Sequence, residues 1–356
     1  MPSLLALSYD VKWRHLVHNE IRLSYHRMLA RFCPCPIAFR EMMRKTHAII
    51  TGSTALHYLL RLPEQWTPGD VDIVAPPNHF DTVLKFIINL PDAAVLRVIG
   101  DDNEEYNSLT DIGIIRLVKV VTPQAKFDIM KSATSSPFNP LPLYWGTHVM
   151  NALTGDSFCC AYPTLTLRRR GILRADVDLD IPTVTAVDKY HDRGFRFYSN
   201  ARSCLNVGRT CLTCSACPHR DRFFGDKHCL VVPIPIRKES PAIINDTDPT
   251  TPGDNTSTTT EHDPPVSLSD AFFRIAVDEP TEHTPNCNTS HISNAPGHQH
   301  VCMVRENDWL FSDDAPYTTA WRLGGDACNN SSCFLPASPM MTTMVIKNTY
   351  AVLQPL

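Results

Sequence analysis

Two aspartates one residue apart, Asp70 and Asp72, lie in an apolar run, Asp70-Val71-Asp72-Ile73-Val74. If that run is a strand, alternation sends both carboxylates to one face and Val71 and Ile73 to the other. Carboxylates about 7 Å apart along a strand face repel one another unless a cation neutralises them. The pattern suits a divalent metal. A third acid stands among apolar neighbours in Lys126-Phe127-Asp128-Ile129-Met130. Upstream, Gly52 and Ser53 separate the apolar Ala48-Ile49-Ile50 from apolar residues at nearly helical spacing between Thr54 and Leu62. A turn there would leave the Gly52 backbone open to close approach and set the Ser53 hydroxyl and N–H at a helix N-terminus, where anions are favoured. Ser53 or Thr54 as an ordinary N-cap fits the same residues.

The elements that would hold these groups follow from pattern and punctuation. A strand ends at Gly52, a helix follows, and Pro63, Pro68 and Gly69 mark a loop before the second strand. His79 to Leu90 reads as a helix packed on a sheet, and Val95 to Ile99 as a short strand. Ile112 to Val121 and Ala125 to Met130 read as a hairpin around Thr122-Pro123-Gln124, which would bring Asp128 beside Asp70 and Asp72. Residues 10–46 read as helical, broken at Cys33-Pro34-Cys35-Pro36 because closely spaced prolines cannot continue a helix. Residues 184–199 read as a helix closed by Gly194.

Gly52-Ser53, a short helix, Asp70-x-Asp72 and a later Asp128 together resemble the nucleotidyltransferase fold of the DNA polymerase β superfamily. More closely, residues 36–230 are similar to nucleotidyltransferase-like proteins numerous in mushroom-forming fungi. Thr147, Met150-Asn151 and Lys189-Tyr190 followed by Arg193-Gly194-Phe195 contribute to that likeness. The resemblance implies a mixed β-sheet core of the α/β class, flanked by helices. It implies an NTP substrate bound at Gly52 and Ser53, and Mg²⁺, two ions in such sites, held by Asp70, Asp72 and Asp128. These carboxylates would be the catalytic residues, transferring a nucleotidyl group to an acceptor that the sequence does not identify. A catalytically silent relative that binds a nucleotide or a partner through the same cleft is the alternative within the family.

Length and composition bound the rest. The 356 residues suggest one or two domains, and 43% hydrophobic residues suffice for a core. Net charge of −4 and the lack of a basic, aromatic-interleaved stripe argue against a dedicated nucleic-acid surface. Arg168-Arg169-Arg170, Lys189 and Arg193 read as solvated basic residues or as contacts for a triphosphate. The absence of a long apolar stretch argues against a membrane span. The first residues lack the basic start of a secretory leader, so an intracellular protein with unpaired or metal-bound cysteines is expected.

The expected organisation is an N-terminal helical segment to residue 45, a core over 46–200, a Cys-rich extension over 201–237, a disordered linker over 238–300 and a tail over 301–356. In the extension, Cys211, Cys214, Cys217 and Cys229 offer enough ligands for a structural Zn²⁺, though not at standard finger spacing. Unligated thiols are the simplest reading of these residues, and disulfides the remaining one. If zinc does bind there, a zinc-stabilised interaction module becomes a reading from a different functional class. Cys159-Cys160 reads as a buried strand residue and its neighbour.

Overall fold

Pro34 and Pro36 divide the N-terminal helical pattern as expected. Helix α1 spans Val11–Ala30 and α2 spans Pro36–Thr46, with Pro36 in the first turn, where a missing N–H is least costly. The α1 stripe Val17, Ile21, Tyr25, Met28 and Leu29 is buried against Phe39 and Met43 of α2 and against the sheet beneath. In a computed structural model the chain is described over residues 11–61, 66–100, 109, 111–174, 181–199, 216–217, 220–235, 317–323 and 340–345. The expected linker over 238–300, Cys211 and Cys214 lie outside the described residues.

The chain then runs β1 (Ile49–Thr51), α3 (Gly52–Leu60), β2 (Val71–Ala75), α4 (Phe80–Ile88), β3 (Ala94–Ile99), β4 (Ile114–Val121) and β5 (Lys126–Ser132). After a loop come β6 (Asn151–Leu153), β7 (Ser157–Cys160), β8 (Arg170–Ile172), α5 (Ile181–Asp192), β9 (Arg196–Tyr198), β10 (Arg222–Phe223) and β11 (Leu230–Pro233). Two further strands, β12 (Tyr317–Arg322) and β13 (Met340–Val345), lie in the tail. Eight strands form a mixed sheet in the order β11-β7-β6-β1-β2-β5-β4-β3, in which β2 and β5 are the parallel pair. The fold is therefore α/β, a mixed sheet flanked by helices.

Alternation along the central strands divides the core. Val71, Ile73, Phe127, Ile129, Val118 and Val120 face α1, α2 and α4, while Val74, Met130 and Leu117 face the opposite side. Asp72, Asp128 and Lys119 share that opposite side by the same period of two.

Boundaries differ from the sequence reading by one to three residues at several elements, and the helix read over 184–199 ends at Asp192, with Arg196–Tyr198 forming β9 instead. Helix α3 starts at Gly52, β2 starts one residue later, at Val71, and α5 starts at Ile181. The segment read as a separate Cys-rich extension also contributes β11, which pairs with β7 at the sheet edge. Buried Arg40 fastens that edge to α2, donating to Gly155 O at 2.7 Å and Ile234 O at 2.6 Å. In the tail, β12 pairs with β10, and buried Trp321 donates to Tyr162 Oη at 2.8 Å, so this segment docks on the core. Among the described residues no helix is long and apolar enough to cross a membrane.

Candidate metal centre

The short turn from β1 into α3 and the start of β2 meet at one point. Thr54 donates its hydroxyl to Asp70 O at 2.8 Å, which ties the first turn of α3 to the approach of β2. Ser53 is buried, with Oγ 3.5 Å from Asp70 Oδ1, at the outer limit of a hydrogen bond. Gly52 has φ +62°, and a Cβ there would lie 2.1 Å from Asp72 Oδ2. Glycine is required at 52 both by its backbone angle and by the carboxylate resting against it.

Register then builds the site across the sheet. Thr51 of β1 stands opposite Asp72 of β2, Asp72 beside Asp128 of β5, and Asp128 opposite Lys119 of β4. Neighbouring strands are about 4.8 Å apart, so this is a row of side chains at van der Waals spacing on one face. Asp70, just ahead of β2, joins it. One carboxylate oxygen from each of Asp70, Asp72 and Asp128 lies within 4.8 Å of the others. The three acids singled out in the sequence thus converge. Lys119 Nζ is ion-paired to Asp128 Oδ2.

Electrostatics mark Asp72 as the strained member. Burial, then the charges of Asp70 and Asp128, push its carboxyl up to about 8, against the opposing pull of Lys119 and Lys189. Without a cation the cluster holds a proton near neutral pH. An all-oxygen donor set with excess negative charge fits a hard divalent ion such as Mg²⁺.

An aromatic wall stands beside the acids. Tyr144 is hydrogen-bonded to Thr51, and burial together with nearby Asp72 pushes its phenol upward. Tyr190 of α5 is pushed upward by burial, with Asp72 and Asp70 adding to the effect and Arg193 opposing it. The Arg193 guanidinium stacks 4.0 Å above the Trp66 ring and 4.8 Å above Tyr190, close enough to Asp70 to feel its charge. Helix α5 ends there because Gly194, at φ +82°, permits Phe195 N–H to reach Tyr190 O at 3.0 Å and Gly194 N–H to reach His191 O at 2.8 Å. Behind Tyr190, buried His148 is boxed by Trp145, Phe195 and Phe197, and neither ring nitrogen has a hydrogen-bond partner.

Lys119, Tyr144 and Trp66 escaped the sequence reading. Lys119 had a readable signal, since placing the hairpin tip at 122–125 pairs Val121 with Lys126 and hence Lys119 with Asp128. Tyr144 and Trp66 lie in loops with no period to read.

The cysteine cluster has two described members. Cys217 is buried, and Cys229 is a free thiol whose sulfur lies 3.5 Å from an Arg222 guanidinium nitrogen and 3.5 Å from Phe223 O. Among the described residues, the three aspartates are the group that could hold a metal ion. Cys159 and Cys160 are both buried on β7.

No protein-family model, curated protein or solved structure matches the chain.

Proposed function

We propose that this protein is a Mg²⁺-dependent nucleotidyltransferase that moves a nucleotidyl group from an NTP to an acceptor hydroxyl. The observation that carries the reading is the convergence of Asp70, Asp72 and Asp128 within 4.8 Å at the Gly52-Ser53 turn. The Mg²⁺ held by these carboxylates would offset charge growing on the phosphoryl oxygens and the leaving group. The chain supplies positioning. Ser53, at the start of α3, offers its hydroxyl and N–H to the triphosphate. Lys189 in the last turn of α5 and Arg193 in the turn just after it bring positive charge towards Asp72 and Asp70, where phosphate oxygens would lie. Asp128, only partly shielded from solvent, orients the acceptor hydroxyl and takes up its proton. In-line attack forms the acceptor O–P bond at the α-phosphorus as the bond to the bridging oxygen breaks, and pyrophosphate departs.

The test is Mg²⁺-dependent pyrophosphate release from an NTP mixture in the presence of candidate acceptors. Wild type should release pyrophosphate, and Asp70→Asn, Asp72→Asn and Asp128→Asn should each reduce the rate at least about 100-fold, as expected when groups that stabilise the transition state are lost. Mg²⁺-dependent NTP binding without release would identify a silent nucleotide-binding relative instead. Neither binding nor release would overturn the reading.

A further inference from the structure

The row across the sheet contains a cation that metal chemistry alone does not require. Lys119 lies directly opposite Asp128, on the neighbouring antiparallel strand, and its ammonium is paired to Asp128 Oδ2. This placement is set by the backbone. Thr122 closes the hairpin, its N–H donating to Ala125 O at 2.9 Å and its hydroxyl accepting from Ala125 N–H at 3.1 Å. With that turn closed, Lys119 can meet only Asp128 across the ladder. The buried Val118 and Val120 on either side face the helix layer, which obliges Lys119 to face the carboxylates.

Charge and space point the same way. When all three carboxylates are ionised, they and the ion-paired Lys119 carry three negative charges and one positive, an excess of two that a single divalent ion neutralises, with Lys189 and Arg193 adding positive charge from beyond ion-pair contact. Two divalent ions beside Lys119 would leave the nucleotide-free site with a surplus of at least two positive charges. Paired ions in phosphoryl-transfer sites stand about 4 Å apart and share carboxylate oxygens. Here one oxygen of Asp128 already accepts from Lys119.

We propose that Lys119 is a built-in cation in the place of a second metal, so that the nucleotide-free protein takes one divalent ion, lodged towards Asp70 and Asp72. The inference rests on the metal-site reading above, and it replaces the two-ion expectation with one ion and a lysine. Lys119 is thereby a positioning residue, holding the Asp128 carboxylate in place whether or not metal is present.

The probe is Mn²⁺, which accepts the same oxygen ligands as Mg²⁺ and gives an electron paramagnetic resonance signal when free. The full chain, freed of metal by chelation and dialysed at pH 8.5, is titrated with Mn²⁺ without nucleotide. Wild type should bind one ion per chain. Lys119→Met, which opens the Asp128 carboxylate, should bind two, a doubling read directly from the titration. Lys119→Gln should behave like Lys119→Met, and circular dichroism establishes that each variant is folded. Two ions in wild type would overturn the inference while leaving the metal site intact, and that result needs no variant. One ion in wild type and in both folded variants would also overturn it. No binding by any of the three would remove the metal site itself.

Discussion

Replacing Asp72 by asparagine should stabilise the metal-free protein, by an amount that grows with pH. The unfolded chain ionises this carboxyl near 3.8, whereas burial beside Asp70 and Asp128 raises it to about 8 when folded. Because the folded-state value is raised, the folded chain keeps a proton that the unfolded chain releases. Stability therefore falls as pH climbs from about 4 to about 8. Keeping that proton at pH 7 costs about 4 kcal/mol, at about 1.4 kcal/mol per pH unit. Relaxation around the site reduces this, so Asp72→Asn should gain about 1–3 kcal/mol at pH 7, or roughly 2–10 °C in Tm. At pH 4 the gain should vanish. The assay is thermal melting of both proteins in chelator from pH 4 to 8.5, repeated with Mg²⁺. Added Mg²⁺ should raise the wild-type Tm with concentration, by mass action, and raise that of the variant less. An Asp72→Asn protein no more stable than wild type at pH 7 without metal would contradict this account of the Asp72 carboxyl. So would a gain that is the same at pH 4 and pH 8.

Gly52→Ala should lose about 1–3 kcal/mol in urea unfolding, because the new Cβ would lie 2.1 Å from Asp72 Oδ2 at a residue with φ +62°. Its Mn²⁺ affinity should fall at least about tenfold, since the Asp72 carboxylate is the group that must move. His148→Phe should gain about 1 kcal/mol at pH 8 by removing two buried nitrogens without partners from an aromatic box. Burial lowers His148 to about 3 in the folded chain, so wild type loses stability as pH falls below about 6.5 while the unfolded imidazole takes up its proton. The advantage of His148→Phe should therefore widen by about 2 kcal/mol between pH 7 and pH 5, read as the difference between the two urea midpoints.

Much of the fold is legible from period and punctuation. Pro34 and Pro36 divide the N-terminal helices, Gly194 closes α5, and the hairpin after residue 112 turns where Thr122-Pro123-Gln124 indicates. These are local effects, in which a missing N–H, a positive φ or a tight turn acts within a few residues. The edge strand β11 and the docking of Trp321 on Tyr162 depend on partners 70 and 159 residues away, which no local pattern encodes.

The division is the same at the site. Residue order alone identifies which side chains could be ligands, since a single acid among apolar strand residues is costly unless something compensates it. It also places Asp70 and Asp72 on a shared face, because a strand has a period of two. That β5 lies parallel to β2 with Asp128 level with Asp72 is a property of the assembled sheet, as a slip of one residue would have sent that carboxylate to the helix layer. Assembly likewise set Asp72 against the bare Cα of Gly52, brought the aromatic wall of α5 alongside, and gave Asp128 a lysine for its partner. Period and composition name the charged groups of this protein. The register of its strands decides which of those charges must be neutralised together.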